Sequence, residues 1–234
     1  MTPKQNTTKV SPPREILNSL LEHYENGQFG DAEKLSLKIT QDFPKHQFSW
    51  KILGAVLREL GRNSEALDAN EVAVKLSPQD AVAHSNLGAT LTELGRLHEA
   101  KASYTQAIAL KPDYPEAHYN LGVTFQQLGR LNEAKASYTQ SIALNPDYPE
   151  AHNNLGAILH ELGRLDEAEA SYTQAIALKP NYAEANSNLG NTLQKLGRFN
   201  EAETSYKQAI ALKPDYSEAH LNLCELLKTM NRVD

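Results

Sequence analysis

The chain has little cysteine: Cys224 is the only one in 234 residues. A single thiol builds neither a disulfide framework nor a thiolate metal cage, so a reducing, cytoplasmic setting is expected. An excess of basic charge is missing as well. Lys and Arg number 23 against 29 Asp and Glu, a formal charge of -6, which removes the electrostatic footprint of a nucleic-acid binder. No stretch reaches the ~18 apolar residues of a membrane span. The N-terminal segment carries Lys4 and Lys9 but no apolar signal core, so neither a membrane partner nor export is expected. Phosphate-cradling, dinucleotide-binding, zinc-protease and nucleophile-elbow motifs are all absent, and no nucleophile, acid or base converges in the sequence. Neither catalysis nor a cofactor is expected.

What is present is a repeat. Ala-Ser-Tyr-Thr-Gln recurs from Ala102, Ala136 and Ala170, and Leu-Gly recurs at Leu87, Leu121, Leu155 and Leu189, each time after 34 residues. Pro44, Pro78, Pro112, Pro146, Pro180 and Pro214 keep the same step. Six full units follow, 13–46, 47–80, 81–114, 115–148, 149–182 and 183–216, with a part unit over 217–234 and a disordered arm expected over 1–12. Within 115–148, Ala117, Leu121, Gly122, Phe125 and Leu128 share one helical face, and Gly129 supplies the left-handed residue that ends helix A. Asn132 is positioned to cap helix B, as are Ser64, His98, Asp166 and Asn200 in other units. Helix B turns Ala134, Tyr138, Ser141, Ile142 and Leu144 inward and ends before Pro146. Pro115 and Pro149 open their A helices, where a missing N–H costs least.

These residues resemble the tetratricopeptide family, whose Trp, Leu-Gly, Ala, aromatic and Pro pattern appears as Trp50, Leu53, Gly54, Ala66 and Pro78. Later units hold His84, His118, His152, Asn186 and His220 where that Trp stands. The first unit has Ser19 and Leu20 in place of Leu-Gly, although Gly27, Phe29, Ala32 and Pro44 stay in phase, and it reads as an N-terminal cap. The resemblance implies an all-α, right-handed superhelical solenoid of helix-turn-helix repeats, with A helices on the concave face and function in the groove.

Several series read as structural. The histidines sit at a packing position, and units ~10 Å apart keep them from sharing one zinc with its ~2 Å bonds. Arg62, Arg96, Arg130, Arg164 and Arg198 follow helix C-termini, and Glu116, Glu150, Glu184 and Glu218 lie in first turns. Both series suit the helix dipole ahead of a phosphate stripe or an acidic rim for a basic ligand. Cys224 takes the small-residue slot of Gly88, Gly122, Gly156 and Gly190 and reads as a packing thiol.

One series points to a ligand. Asn86, Asn120, Asn154, Asn188 and Asn222 precede the Leu of Leu-Gly, and their place in the repeat puts them on the groove side of successive A helices. The arrangement is similar to the asparagine ladder in the repeat arm of O-linked N-acetylglucosamine transferases, which implies amides holding the backbone of an extended peptide. Tyr119, Gln126, Asn153, His160, Asn191 and Gln194 flank it. The lysine-rich clamp of the chaperone-tail subgroup is not matched: Ser85, Tyr119, Asn153 and Ser187 stand where its lysine would, and only Lys51 complies. The expectation is a protein- or peptide-binding scaffold; the alternatives are the recognition arm of a larger transferase or other enzyme, and an assembly protein stacking end to end. Asp234 aligns with the capping residue of a helix B, so the chain is expected to be a fragment or to self-associate through this end. Removing whole units from 81–216 should lower the thermal midpoint in steps while the rest stays helical, measured by circular dichroism; loss of all helicity with one unit would contradict a one-dimensional array.

Overall fold

The computed structural model describes residues 11–230, so most of the expected N-terminal arm, and the alignment of Asp234 to a helix cap, lie outside the described residues. Two compact units divide the chain at Asp113. In the first, α1 (Arg14–Glu25), α2 (Phe29–Asp42), α3 (Gln47–Glu59), α4 (Asn63–Leu76), α5 (Ala81–Glu93) and α6 (Leu97–Leu110) follow one another. In the second come α7 (Pro115–Gln127), α8 (Leu131–Leu144), α9 (Pro149–Glu161), α10 (Leu165–Leu178), α11 (Ala183–Lys195), α12 (Phe199–Leu212) and α13 (Ser217–Thr229). Among the described residues every regular element is helical. Inside each unit a helix packs on the next in sequence, and odd-numbered helices also touch one another, as α3 does α5 and α11 does α13.

The turn inside each pair is built as the sequence predicts. Gly129 has φ +70; its N–H donates to the Gln126 carbonyl at 2.9 Å while the Arg130 N–H donates to the Phe125 carbonyl at 2.8 Å. That double bond pattern satisfies the last carbonyls of α7 and reverses the chain. Gly27, Gly61, Gly95, Gly163 and Gly197 repeat it, with φ between 69 and 74. Pro115 and Pro149 occupy the first helical turn without a missing bond.

Helix B starts two residues earlier than the sequence suggests. Arg62, Arg96, Arg130, Arg164 and Arg198 are the N-cap residues, and none of them makes a side-chain cap bond. Ser64, His98, Asn132, Asp166 and Asn200 therefore lie inside the first turn and cap nothing. The arginines keep their place just past helix A, and each guanidinium also reaches forward to the Glu three residues on, as Arg96 Nε does to Glu99 Oε1 at 2.7 Å and Arg164 Nε to Glu167 Oε1 at 2.6 Å. The bonded guanidinium holds Glu65, Glu99, Glu133 and Glu201 below the usual carboxylate range. An Asp does cap where the sequence made no such claim: Asp80 accepts from the N–H groups of Val82 and Ala83 at 2.9 and 3.2 Å, opening α5.

Packing within a pair rests on a glycine against a ring. A Cβ at Gly122 would lie 2.7 Å from the Tyr138 ring, one at Gly156 2.7 Å from Tyr172, and one at Gly190 2.6 Å from Tyr206. Tyr104 fills the same place over Gly88 at 2.8 Å, and Asn70 replaces the ring over Gly54. Alanines at 100, 117, 134, 151, 168, 185 and 202 are wholly buried and let the helices close around these contacts. One reading of packing is overturned. Cys224 is exposed, because no helix among the described residues covers it as Tyr138 covers Gly122. The half-buried His84 and His152 and the exposed His220 also form hydrogen bonds, reaching the carbonyls of Pro78, Pro146 and Pro214 at 3.0, 3.0 and 2.9 Å, as Trp50 Nε1 donates to Pro44 at 2.9 Å. A ring N–H six residues after the proline is what the position selects, which both Trp and His supply.

Gly122→Ala should destabilise by ~1–3 kcal/mol through overpacking. Gly129→Ala should cost ~1–2 kcal/mol through its left-handed backbone. The two mechanisms separate in denaturation of double variants, since Tyr138→Leu should relieve the first loss and leave the second unchanged.

Candidate functional site

Helices α7, α9, α11 and α13 carry Asn120, Asn154, Asn188 and Asn222 at equivalent places, all half-buried. The last three amides are joined to the preceding helix of the set. Asn154 Nδ2 donates to Tyr119 Oη at 3.1 Å, Asn188 Nδ2 to Asn153 Oδ1 at 3.2 Å, and Asn222 Nδ2 to Asn191 Oδ1 at 2.8 Å. Each of these three amides is thus oriented by a side chain of the preceding helix in the set, Tyr119, Asn153 or Asn191. Asn86 lies half-buried on α5, in the first unit.

The flanking residues hold this ladder more than they surround it. Asn153 is 1% exposed, and its Nδ2 lies 3.3 Å from both Asn154 Oδ1 and Glu184 Oε1. Gln126 Oε1 accepts from the Tyr138 hydroxyl at 2.8 Å. The Tyr206 hydroxyl lies 2.7 Å from Asn191 Oδ1 and 2.9 Å from Gln194 Oε1, and its single hydrogen serves one acceptor at a time. His160 Nδ1 is 2.8 Å from Thr192 Oγ1.

Sequence reasoning missed the role of the helix-B tyrosines. Tyr138 and Tyr206 are at once the rings over glycine and the hydroxyls beneath the ladder. Burial, with Tyr119 next to it, pushes the Tyr138 hydroxyl up, and burial followed by Glu225 and Glu218 does the same to Tyr206, so both stay protonated donors. The signal was available in the spacing, since Gln126 and Gln194 stand 12 residues before Tyr138 and Tyr206.

A cleft of ≈ 570 Å³ gathers His160, Asn191, Gln194 and Asn222 beside Lys195, Glu218 and Glu225. Asn188 lines an adjoining hollow with His160 and Asn191. A further cleft is lined by Lys135 and Thr139 of α8, Leu155 and Leu159 of α9, and Ala170 and Ser171 of α10, away from the ladder. Among the described residues no group of three or more His, Cys, Asp or Glu could hold a metal ion, and no helix is long and apolar enough to cross a membrane.

Stacked helix pairs of 34-residue step, closed by a left-handed glycine and locked by a glycine–aromatic contact, define a tetratricopeptide-repeat protein. Residues 46–234 match the profile of the cilia and flagella-associated protein 70 C-terminal domain, and the chain belongs to that family of tetratricopeptide repeats. Among curated proteins compared by sequence, none matches. Three solved structures illustrate the shared fold. A thermophilic tetratricopeptide protein from Thermus thermophilus is 28% identical, with a TM-score of 0.60 over 78% of this chain and 99% of its own. YrrB is 22% identical, with a TM-score of 0.66 over 80% and 96%. Pseudomonas aeruginosa pilF is 19% identical, with a TM-score of 0.81 over 91% and 96%.

Burial, then the nearby Lys195, lowers the His160 imidazole from its ordinary 6.5. A lowered folded value means that folding favours the neutral ring, so this contribution is present above the unfolded pKa and is lost as pH falls below it. NMR titration of His160 should give a midpoint below 6.5, and His160→Gln should remove that part of the acid-side loss of stability; a midpoint at or above the unfolded value would contradict the assigned contact.

Proposed function

We propose that the chain is a non-catalytic scaffold that holds extended protein segments along α7, α9, α11 and α13, in a cytoplasmic setting that suits its lone thiol. A tetratricopeptide fold supports a protein-binding role in general. The observation that carries the finer reading is the chain of inter-helix bonds of 2.8–3.2 Å that fixes Asn154, Asn188 and Asn222 while leaving them half-buried. Each such bond uses one of an amide's two donor hydrogens, so the side chain is oriented before a ligand arrives. Orientation in advance lowers the entropy lost on binding. YrrB, similar in fold, is described as a protein with an unusual peptide-binding site, in keeping with this reading.

Magnitudes make the interaction weak. Four amides at ~0.5–1.5 kcal/mol each contribute ~2–6 kcal/mol, against ~1–2 kcal/mol for every peptide residue that becomes ordered. Side-chain contacts or several weak sites acting together must supply the remainder. Binding should be micromolar or weaker, tolerant of sequence and only slightly dependent on salt.

The test is a titration of unstructured random-sequence peptides, followed by fluorescence anisotropy. Replacing Asn120, Asn154 and Asn188 together by Ala should keep helical circular dichroism and weaken all binding peptides by a similar factor, at least about tenfold. Peptides that bound the triple variant as well as the parent would place the binding surface elsewhere, with the α8–α10 cleft the first place to look.

A further inference from the structure

The 34-residue step makes Lys111, Asn145, Lys179 and Lys213 equivalent, and likewise Tyr114, Tyr148, Tyr182 and Tyr216 three residues later. In α7–α13 the two lysines of this set fold onto their own repeats. Lys179 Nζ sits 4.6 Å from the centre of the Tyr182 ring and 2.9 Å from Glu150 Oε1, and Lys213 Nζ sits 5.1 Å from the centre of the Tyr216 ring. Burial acts to raise the Glu150 carboxyl, yet the Lys179 ammonium holds it below the usual carboxylate range. The repeat thus builds an ammonium site, with a tyrosine face on one side and, at Lys179, a carboxylate from the first turn of helix A on the other.

At the third position the cation is gone and its surroundings remain. Asn145 is neutral and stops two atoms short of a lysine Nζ. Tyr148 keeps the place of Tyr182 and Glu116 that of Glu150; Glu116 is exposed and, among the described residues, makes no ion pair. A second ring has been added, since Tyr119 lies 4.9 Å from Tyr148 between ring centres, at an interplanar angle of 33°. The units that follow carry Asn153 and Ser187 where Tyr119 stands. Burial first, then Tyr119 and the carboxylates of Glu116 and Glu150, push the Tyr148 hydroxyl up. Dipole pairing in a first turn explains a glutamate at 116 but not the paired rings beside it.

We propose that Tyr148, Tyr119 and Glu116 bind the side-chain ammonium of a lysine on a partner peptide, in the place that Lys179 and Lys213 fill within their own repeats. A cation over a ring together with one carboxylate favours the charged side chain over a neutral isostere by about tenfold. The assignment names a partner class, lysine-bearing extended segments, and in that peptide form it rests on the ladder reading above.

A small probe separates the two claims. The full chain is titrated with Nα-acetyl-lysine methylamide and with its Nε-acetylated analogue, and the ring protons of Tyr148 and Tyr119 are followed by NMR. The lysine compound should give a saturable shift that the neutral analogue lacks. Glu116→Gln should weaken its binding about threefold, Asn145→Lys should abolish it by supplying an internal cation, and Lys179→Asn should open a second site seen at Tyr182. Folding of each variant is checked by circular dichroism, and Glu116→Gln with the acetylated analogue decides the matter should Asn145→Lys fail to fold. Equal shifts from both compounds, or no saturable shift at Tyr148, would overturn the proposal. Failure of the asparagine ladder would instead appear as unchanged peptide binding in the triple alanine variant, with the Tyr148 response intact.

Discussion

Everything in this protein depends on a close approach between a glycine in helix A and a ring in helix B. At Gly122, Gly156 and Gly190 a single methyl group would lie under 3 Å from the tyrosine behind it, and the interior has no slack to absorb it. That approach fixes the distance between the paired helices, carries the tyrosine hydroxyl through to the opposite side, and places it under the amides of the A helices. One contact therefore serves both stability and site geometry. Tyr138 is wholly buried as a ring, and its oxygen still reaches Gln126 at 2.8 Å and Asn154 at 3.5 Å.

The repeat architecture multiplies that contact, and variation between repeats then shows what each position is for. Asn70 over Gly54 takes the place of the ring with a smaller, polar side chain, and it turns its Nδ2 toward Thr90 Oγ1 at 3.0 Å. Trp50 and the histidines at 84, 152 and 220 share only a ring N–H aimed at a proline carbonyl, so the side-chain bond, not the bulk, is what is kept. The same logic isolates Asn145, whose equivalents Lys179 and Lys213 are folded onto tyrosines.

Much of the fold was legible because it is written locally. A glycine at φ +70, a proline in a first turn and an apolar face of 3.6-residue period all act within a few residues of where they stand. Errors arose where the partner lies elsewhere in space. Asn132 was instead a local error: α8 already begins at Leu131, with Arg130 at the cap position. Cys224 looks like Gly122, yet among the described residues no ring covers it and it is exposed. The ladder asparagines were visible as a series, but their bonds join residues 31 or 35 apart through geometry that spacing alone does not supply.

The account reduces to the claim that amides oriented by inter-helix bonds are the surface a ligand meets. The most direct measurement is a crystal structure of the chain with a peptide selected from an unstructured library. It should show peptide backbone groups within hydrogen-bonding distance of Asn120, Asn154, Asn188 and Asn222, with the bonds of Asn154 to Tyr119 and Asn188 to Asn153 preserved. A peptide seated over α8 and α10, or a ladder whose internal bonds are broken and remade on binding, would contradict it.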